Sequence, residues 1–183
     1  MERSVVPWCP TIPVDSDDVL KRLGPSLRSN HLTNDGPASQ QLAKQVSELL
    51  GLSDRNYVYC TSSGTAALHA VIAAFSIQAK KLLRVATQAF TFASANTGNC
   101  KNAVVLDGNP LPPLHSIDIA QDTFDLLILT LPFGFWFDVV PYAALCKRLD
   151  KFLVLDMAAS PMLHVSPTDK MSMMELCDGA IVS

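Results

Sequence analysis

Apolar runs recur along the chain, with polar or helical segments between them. Four of these runs predict β-strands, at Leu83–Thr87, Ala103–Asp107, Asp125–Leu131 and Lys151–Asp156. The third of them, DLLILTL, is nearly continuous in its apolar character, which is typical of a strand buried on both faces of a parallel sheet. A further strand is predicted to begin in Asp178–Ser183.

Residues at helical spacing lie between the predicted strands. Apolar side chains three or four positions apart predict helices at Ala38–Leu50, Ala66–Ala79 and Asp138–Leu149. A short helix is predicted at Asp15–Leu23, before the polar loop Arg28–Pro37. The stretch QAFTFASANTGN, which begins at position 88, is also expected to turn into a helix. This alternation predicts an α/β fold with a mostly parallel sheet and helices on both faces.

Composition and charge narrow the class of protein. With 183 residues, 49% of them hydrophobic, the chain can bury a substantial core, and this excludes a disordered protein. The net charge of −3 and the absence of a long basic run predict no nucleic-acid partner. No apolar stretch reaches the roughly 18 residues of a membrane span, and no signal peptide is evident. Five widely spaced cysteines favour neither a zinc site nor a disulfide framework, and predict a cytoplasmic protein without a bound metal.

The segment VYCTSSGTAALHAV, residues 58–71, places hydroxyl groups and a glycine between a predicted strand end and a helix. The strand end is predicted at Tyr57–Cys60. Residues 61–65 then offer hydroxyls and backbone N–H groups at a helix N-terminus, where phosphates commonly bind. The alternative is an ordinary N-cap that satisfies the first amides of the helix. His69, on the same helix, is interpreted as a solvated or packed residue.

Polar and aromatic residues follow several strands at the carboxyl edge of the predicted sheet, where ligands bind in such folds. Asp156 ends a buried strand, so its carboxylate needs a partner. A helix cap or a salt bridge is one interpretation, and a counter-charge to a protonated pyridine nitrogen is the other. Phe92 is either a core residue or a ring that stacks on a flat cofactor.

Seven motifs, in order from Arg28 to Ser183, resemble those of the DegT/DnrJ family of sugar-nucleotide aminotransferases, which are pyridoxal-phosphate enzymes of the aspartate aminotransferase fold. SSGTAAL resembles the family's phosphate turn, and LVLDMAAS its segment with the ring-binding aspartate. The remaining similar stretches are LTNDGP, VATQAFTFASAN, VVLDGNP, LPFGFWFDV and DGAIVS. The resemblance implies an N-terminal irregular segment, residues 1–27, and a partial, incomplete pyridoxal-phosphate-binding large domain, residues 28–183.

The resemblance also implies roles for individual residues. The cofactor phosphate would be bound by Ser63, Gly64 and Thr65, with a further hydroxyl from Ser183. Phe92 would stack on the pyridine ring and Asp156 would hold its nitrogen; Asn96 matches a position near the pocket. The resemblance further implies a nucleotide-linked keto-sugar substrate, an amino donor and a homodimer.

The sequence also departs from the family. Ala159 stands where the family has Gln, Leu155 where it has an acidic residue, and Gln88 where it has Pro. The family's Schiff-base lysine is expected about five positions beyond Ser183, so no catalytic residue is assigned within the 183 residues; Lys170 is not expected to replace it. Three interpretations stay open: part of an aminotransferase, an inactive binding or regulatory module, and an unrelated α/β protein that binds a nucleotide phosphate.

Overall fold

The computed structural model describes residues 13–134, 137–160 and 173–183, and the chain divides after Gln45 into two compact units. The first unit contains helix α1, Ser16–Ser29, and most of helix α2, Pro37–Leu50. Helix α1 begins where the Asp15 carboxylate accepts hydrogen bonds from two first-turn amides, and ends at Asn30 in a left-handed conformation. The helix predicted at the start of the chain is therefore confirmed and runs further than the sequence indicates.

The second unit is built on a parallel sheet. Within the described residues the sheet has five strands in the order β2-β1-β3-β4-β5, and every neighbouring pair is parallel. Each strand overlaps a run that the hydrophobic pattern predicts, and β1 extends one residue beyond its run, to Gln88. The strands are β1 Val85–Gln88, β2 Val104–Leu106, β3 Leu126–Thr130, β4 Phe152–Asp156 and β5 Gly179–Ile181.

Helices cover both faces of this sheet, as predicted. Helix α3, Gly64–Gln78, packs on the face that carries Ile128 and Val154. Helices α4, Leu114–Ile119, and α5, Val140–Arg148, contribute to the core on the opposite face. All five residues of β3 are buried, which confirms the interpretation of its continuous apolar run.

Two local predictions are wrong. Tyr57–Cys60 forms no strand, and Tyr57 and Tyr59 are each about 80% exposed, at 80% and 82%. The physical reason is that no neighbouring strand in the described part of the chain pairs with this segment, and an extended segment alone is not stable as sheet. The stretch QAFTFASANTGN leads into two short 3₁₀ turns, Ala93–Asn96 and Gly98–Cys100, which are separate because Thr97 between them is extended, with φ of −125° and ψ of 166°.

Candidate functional site

The turn before α3, residues 61–65, is called the α3 turn below; it caps the helix and leaves the amides of Gly64 and Thr65 without a partner among the described residues. Ser63 is the N-cap, and its Oγ accepts a hydrogen bond from the Ala66 N–H at 3.1 Å. The N-cap interpretation is therefore confirmed for Ser63. Its hydroxyl hydrogen is still able to donate, since a hydroxyl both donates and accepts. The amides of Gly64 and Thr65 belong to the first turn, whose N–H groups have no partner within a helix.

Gly64 brings this turn against the ends of two strands. A Cβ atom built on Gly64 would lie 3.5 Å from the Cβ of Ser183 and 3.6 Å from the Cβ of Ala158. Ser183 follows β5, and Ala158 lies two residues beyond the end of β4. Chain segments far apart in sequence therefore meet at the N-terminus of α3. The predicted residues Gly64 and Ser183 are neighbours in space.

Asp156 lies beside this meeting point, at the end of β4. Its Oδ1 accepts a hydrogen bond from the Ala158 N–H at 3.1 Å, and the residue is only 5% exposed. Burial raises the pKa of the Asp156 carboxyl above its ordinary value, although the Ala158 hydrogen bond opposes that shift. Within the described ranges, no Lys, Arg or His forms an ion pair with it. The carboxylate is therefore a buried acceptor whose counter-charge is not supplied by a described side chain.

Phe92 lies in the loop that follows β1, at the same carboxyl edge of the sheet as Asp156. Its side chain is 71% exposed, so ordinary core packing does not describe it. Phe92 immediately precedes the 3₁₀ turn Ala93–Asn96, whose last residue, Asn96, is also exposed. An exposed ring at this edge is free to stack on a ligand. Its stacking role stays a prediction.

A buried polar network, which sequence patterns alone do not reveal, joins this loop to β3. The side-chain amide of Gln88 hydrogen-bonds to Phe90 and Thr130, and the hydroxyls of Thr91 and Thr130 lie 2.6 Å apart. Thr130 is paired in register with Asp156 on the neighbouring strand. The signal available in the sequence is the polar residue Gln88 at the end of an apolar strand.

Two aromatic rings flank the same edge. The ring centroids of Phe90 and Phe133 lie 5.9 Å apart, and both side chains are more than half exposed. Phe133 has a φ of 56°, a left-handed conformation that is uncommon for a bulky residue and that clusters at functional sites. The edge therefore combines an open helix N-terminus, a buried carboxylate and exposed aromatic rings.

Other predicted features lie apart from this edge or outside the described residues. His69 packs against Gly98, and its buried Nε2 has no hydrogen-bond partner in the described residues. Lys170 lies outside the described residues. The described part of the chain contains no cluster of three metal-ligating side chains, and none of its helices is long and apolar enough to cross a membrane.

A family sequence model and several solved structures are similar to this chain. The sequence model of the DegT/DnrJ/EryC1/StrS aminotransferase family matches residues 13–126. Among solved structures, an aminotransferase from Psychrobacter cryohalolentis is 18% identical, with a TM-score of 0.63 over 84% of this chain and 40% of that chain. Mouse CSAD is 14% identical, with a TM-score of 0.64 over 88% of this chain and 42% of that chain.

A third similar structure is a variant of GDP-4-keto-6-deoxymannose-3-dehydratase (ColD) with bound GDP-perosamine. It is 17% identical, with a TM-score of 0.61 over 79% of this chain and 39% of that chain. These likenesses concern the fold. The chain spans about two fifths of the length of the structures that it matches.

Proposed function

Because the chain belongs to the DegT/DnrJ/EryC1/StrS aminotransferase family, we propose that it binds pyridoxal phosphate and forms part of an aminotransferase that acts on a nucleotide-linked keto-sugar. The observation that carries the proposal is Asp156. This carboxylate is buried, its pKa is raised by burial, and it accepts a hydrogen bond from Ala158, whose side chain lies next to Gly64 at the N-terminus of α3. A ligand with a cationic ring nitrogen and a phosphate suits these two features together.

The residues present fit this cofactor. The phosphate would be bound by the amides of Gly64 and Thr65 and by the hydroxyls of Ser63 and Ser183, at the positive end of the α3 dipole. Gly64 matters here because it has no side chain on the turn, where a Cβ atom would already contact Ser183 and Ala158 at 3.5 Å and 3.6 Å, so a ligand can approach the backbone closely. A phosphate bound at this turn gains hydrogen-bond donors that have no partner among the described residues.

Asp156 would hold the proton of the ring nitrogen through the carboxylate oxygen that Ala158 does not bind. Because a buried carboxylate without a cation is destabilising, a protonated ring that supplies the positive charge would stabilise the folded chain. Phe92 would cover one face of the ring and exclude water from it. When bound, pyridoxal phosphate supplies an electron sink for the transfer of amino groups.

The acceptor is proposed to be a nucleotide-linked keto-sugar, with an amino acid, commonly glutamate in this family, as donor. The family match supports this, as does the GDP-perosamine bound in the similar ColD structure. A homodimer in the cytoplasm completes the proposal. Its support is the family resemblance together with β5, which lies at one edge of the described sheet.

A second candidate function is a binding or regulatory module without transaminase activity. Two observations favour it. Leu155, in the family's acidic position, is fully buried in the sheet core, and Ala159, in the family's glutamine position, is exposed and lacks a polar side chain. Such a module would keep the phosphate turn and Asp156 while lacking two polar groups near the cofactor ring.

The cofactor proposal is tested by calorimetric titration of the purified chain with pyridoxamine phosphate. This form has no aldehyde, so it forms no imine with surface lysines, and heat of binding reports the non-covalent site. We expect one site per chain, with affinity lost in Gly64→Val, whose side chain fills the space beside Ser183. A chain that does not bind pyridoxamine phosphate contradicts the proposal.

The two candidate functions are separated by a second titration of the loaded chain. A nucleotide-linked keto-sugar should bind to the chain saturated with pyridoxamine phosphate, whereas the free sugar should not. Because no catalytic lysine is assigned within these 183 residues, the readout is binding and not conversion. Binding of the nucleotide-linked keto-sugar supports the aminotransferase, whereas binding of pyridoxamine phosphate without the keto-sugar favours the module.

A further inference from the structure

Gln88 is a buried, fully hydrogen-bonded side chain near the candidate site. It is the last residue of β1 and has no exposed surface. Its Nε2 donates to the carbonyl oxygens of Phe90 and Thr130, both at 2.9 Å. Its Oε1 accepts from the N–H of Thr130, also at 2.9 Å. Both amide hydrogens and the amide oxygen are therefore engaged.

These bonds extend the sheet beyond its last backbone pairs. The register of β1 with β3 ends at Thr87 and Ile128, and the Gln88 side chain then bonds both the N–H and the C=O of Thr130. The side-chain amide thus pairs with the backbone of β3 as a peptide group of β1 would. It also connects the loop that carries Phe90 and Phe92 to the strand that pairs with Asp156.

We propose that Gln88 is a positioning residue: its buried amide fixes the 89–92 loop against the end of β3, and so holds Phe92 and Asp156 in the relative arrangement that a bound pyridine ring requires. This inference rests on the proposed function. Gln88 itself does not contact the ring. It acts through Phe90 and Thr130, and the hydroxyl pair of Thr91 and Thr130 adds a second connection between the same two segments.

The chemistry at this position demands a side-chain amide. A methionine of similar length would leave the buried N–H and C=O of Thr130 without their Gln88 partners, which is destabilising for each group. A glutamate would accept from the Thr130 N–H, but its ionised carboxylate cannot donate to either carbonyl oxygen. A proline, which the family has here, lacks these hydrogen-bonding groups entirely. This chain therefore holds the loop by means that the family pattern does not predict.

The test compares Gln88→Met, Gln88→Glu and the control Thr87→Val in pyridoxamine phosphate binding. Thr87 lies on the same strand, is equally buried, and has a hydroxyl without a hydrogen-bond partner in the described residues. We expect Gln88→Met to weaken binding about 10-fold to 100-fold, as loss of supporting residues does at metal sites. The control should change the Kd less than about twofold.

Two readouts separate positioning from general loss of structure. Binding of inorganic phosphate at the α3 turn, followed by ³¹P NMR, should be unchanged in Gln88→Met, because that turn does not depend on the 89–92 loop. In Gln88→Glu, burial should raise the pKa of the introduced carboxyl, so lowering the pH from about 8 to about 5 protonates it and restores one hydrogen-bond donor. The ratio of this variant's Kd to the Kd of the unsubstituted chain should therefore fall towards one over that range.

The outcomes distinguish this inference from the proposed function. If the unsubstituted chain does not bind pyridoxamine phosphate, the proposed function is wrong and this inference falls with it. If that chain binds and Gln88→Met binds within twofold, only the positioning role is wrong. Where Gln88→Met fails to fold, the glutamate variant decides, and a Kd ratio independent of pH contradicts the inference.

Discussion

Replacing Asp156 by asparagine should stabilise the chain and weaken its binding of the cofactor. Asparagine has nearly the same shape and keeps an oxygen that accepts from the Ala158 N–H. It removes a carboxylate that is 5% exposed and has no ion-pair partner among the described residues. The two effects have opposite signs because the buried charge is costly in the free chain and useful in the complex.

The expected stability gain follows from the environment of the carboxyl. Because burial raises the folded-state pKa of Asp156 above its ordinary value of 3.8, the folded chain resists ionisation more than the unfolded chain does. Asp156 therefore lowers stability once the pH rises through the ordinary value to the folded value. Stabilising substitutions of single residues typically raise the free energy of unfolding by about 0.5–2 kcal/mol, and a gain of this size is expected from removing the buried charge. For a chain of this size, each kcal/mol raises the Tm by about 2–4 °C.

The expected loss in binding is larger. Truncating one partner of a buried, hydrogen-bonded charge pair costs about 2–5 kcal/mol, so the Kd for pyridoxamine phosphate should rise by roughly 30-fold or more. Inorganic phosphate should bind to the variant as it does to the unsubstituted chain, because it contacts only the α3 turn. This pair of titrations assigns the loss to the ring nitrogen.

Calorimetric titration and thermal melts between about pH 4 and about pH 8 provide the assay. The Tm difference between Asp156→Asn and the unsubstituted chain should grow as the pH rises. Asp138→Asn is a matched control, because Asp138 is exposed and lies after a different strand. Equal affinity of the Asp156 variant and the unsubstituted chain for pyridoxamine phosphate would refute the assigned role.

Three further predictions concern stability, each measured by urea unfolding followed by circular dichroism. Gly98→Ala should destabilise the chain by about 2–5 kcal/mol, because position 98 has a φ of 54° and the added Cβ would lie 1.9 Å from the His69 Cε1. In a His69→Ala background only the backbone cost of about 1–2 kcal/mol should remain, and an equal cost in both backgrounds would contradict the clash. Asp125→Asn should lower the free energy of unfolding by about 1.5–3 kcal/mol near neutral pH, because the hydrogen bond from the Arg84 guanidinium holds the pKa of Asp125 below its ordinary value of 3.8. This stabilisation is present above pH 3.8 and is lost as the pH falls through the depressed value, so a cost that persists in strong acid would contradict the prediction. Thr87→Val should raise the free energy of unfolding by up to about 1–3 kcal/mol, because it removes a buried hydroxyl that has no partner in the described residues. A loss of stability would show instead that this hydroxyl is hydrogen-bonded.

The sequence predicts the secondary structure of the sheet well because the strands are buried on both faces. A run such as DLLILTL has no polar face, and only the interior of a layered α/β fold accommodates it as a strand. Tyr57–Cys60 has a similar local pattern but forms no strand. Its strand propensity is a local property, whereas a strand requires a neighbour to complete its hydrogen bonds.

The candidate site divides in the same way. The sequence alone determines the types of chemical group at the carboxyl edge, since SSGT before a helix, Asp156 at a strand end and Phe92 after a strand are local patterns. Tertiary structure decides that Gly64 lies against Ser183 and that Phe92 is exposed. The order of strands sets these relationships, because it brings together residues more than a hundred positions apart in the sequence.

Gln88 illustrates the limit of local patterns. In the sequence it is a polar residue at the end of an apolar strand, equally compatible with exposure to solvent. In the structure it is completely buried, since β1 lies between β2 and β3 and the side chain reaches the backbone of Thr130. The sequence determined which groups the chain can offer, and only the pairing of β1 with β3 decided that this amide would be buried and fully bonded, because a hydrogen bond between residues 42 positions apart depends on strand order rather than on neighbours in the chain.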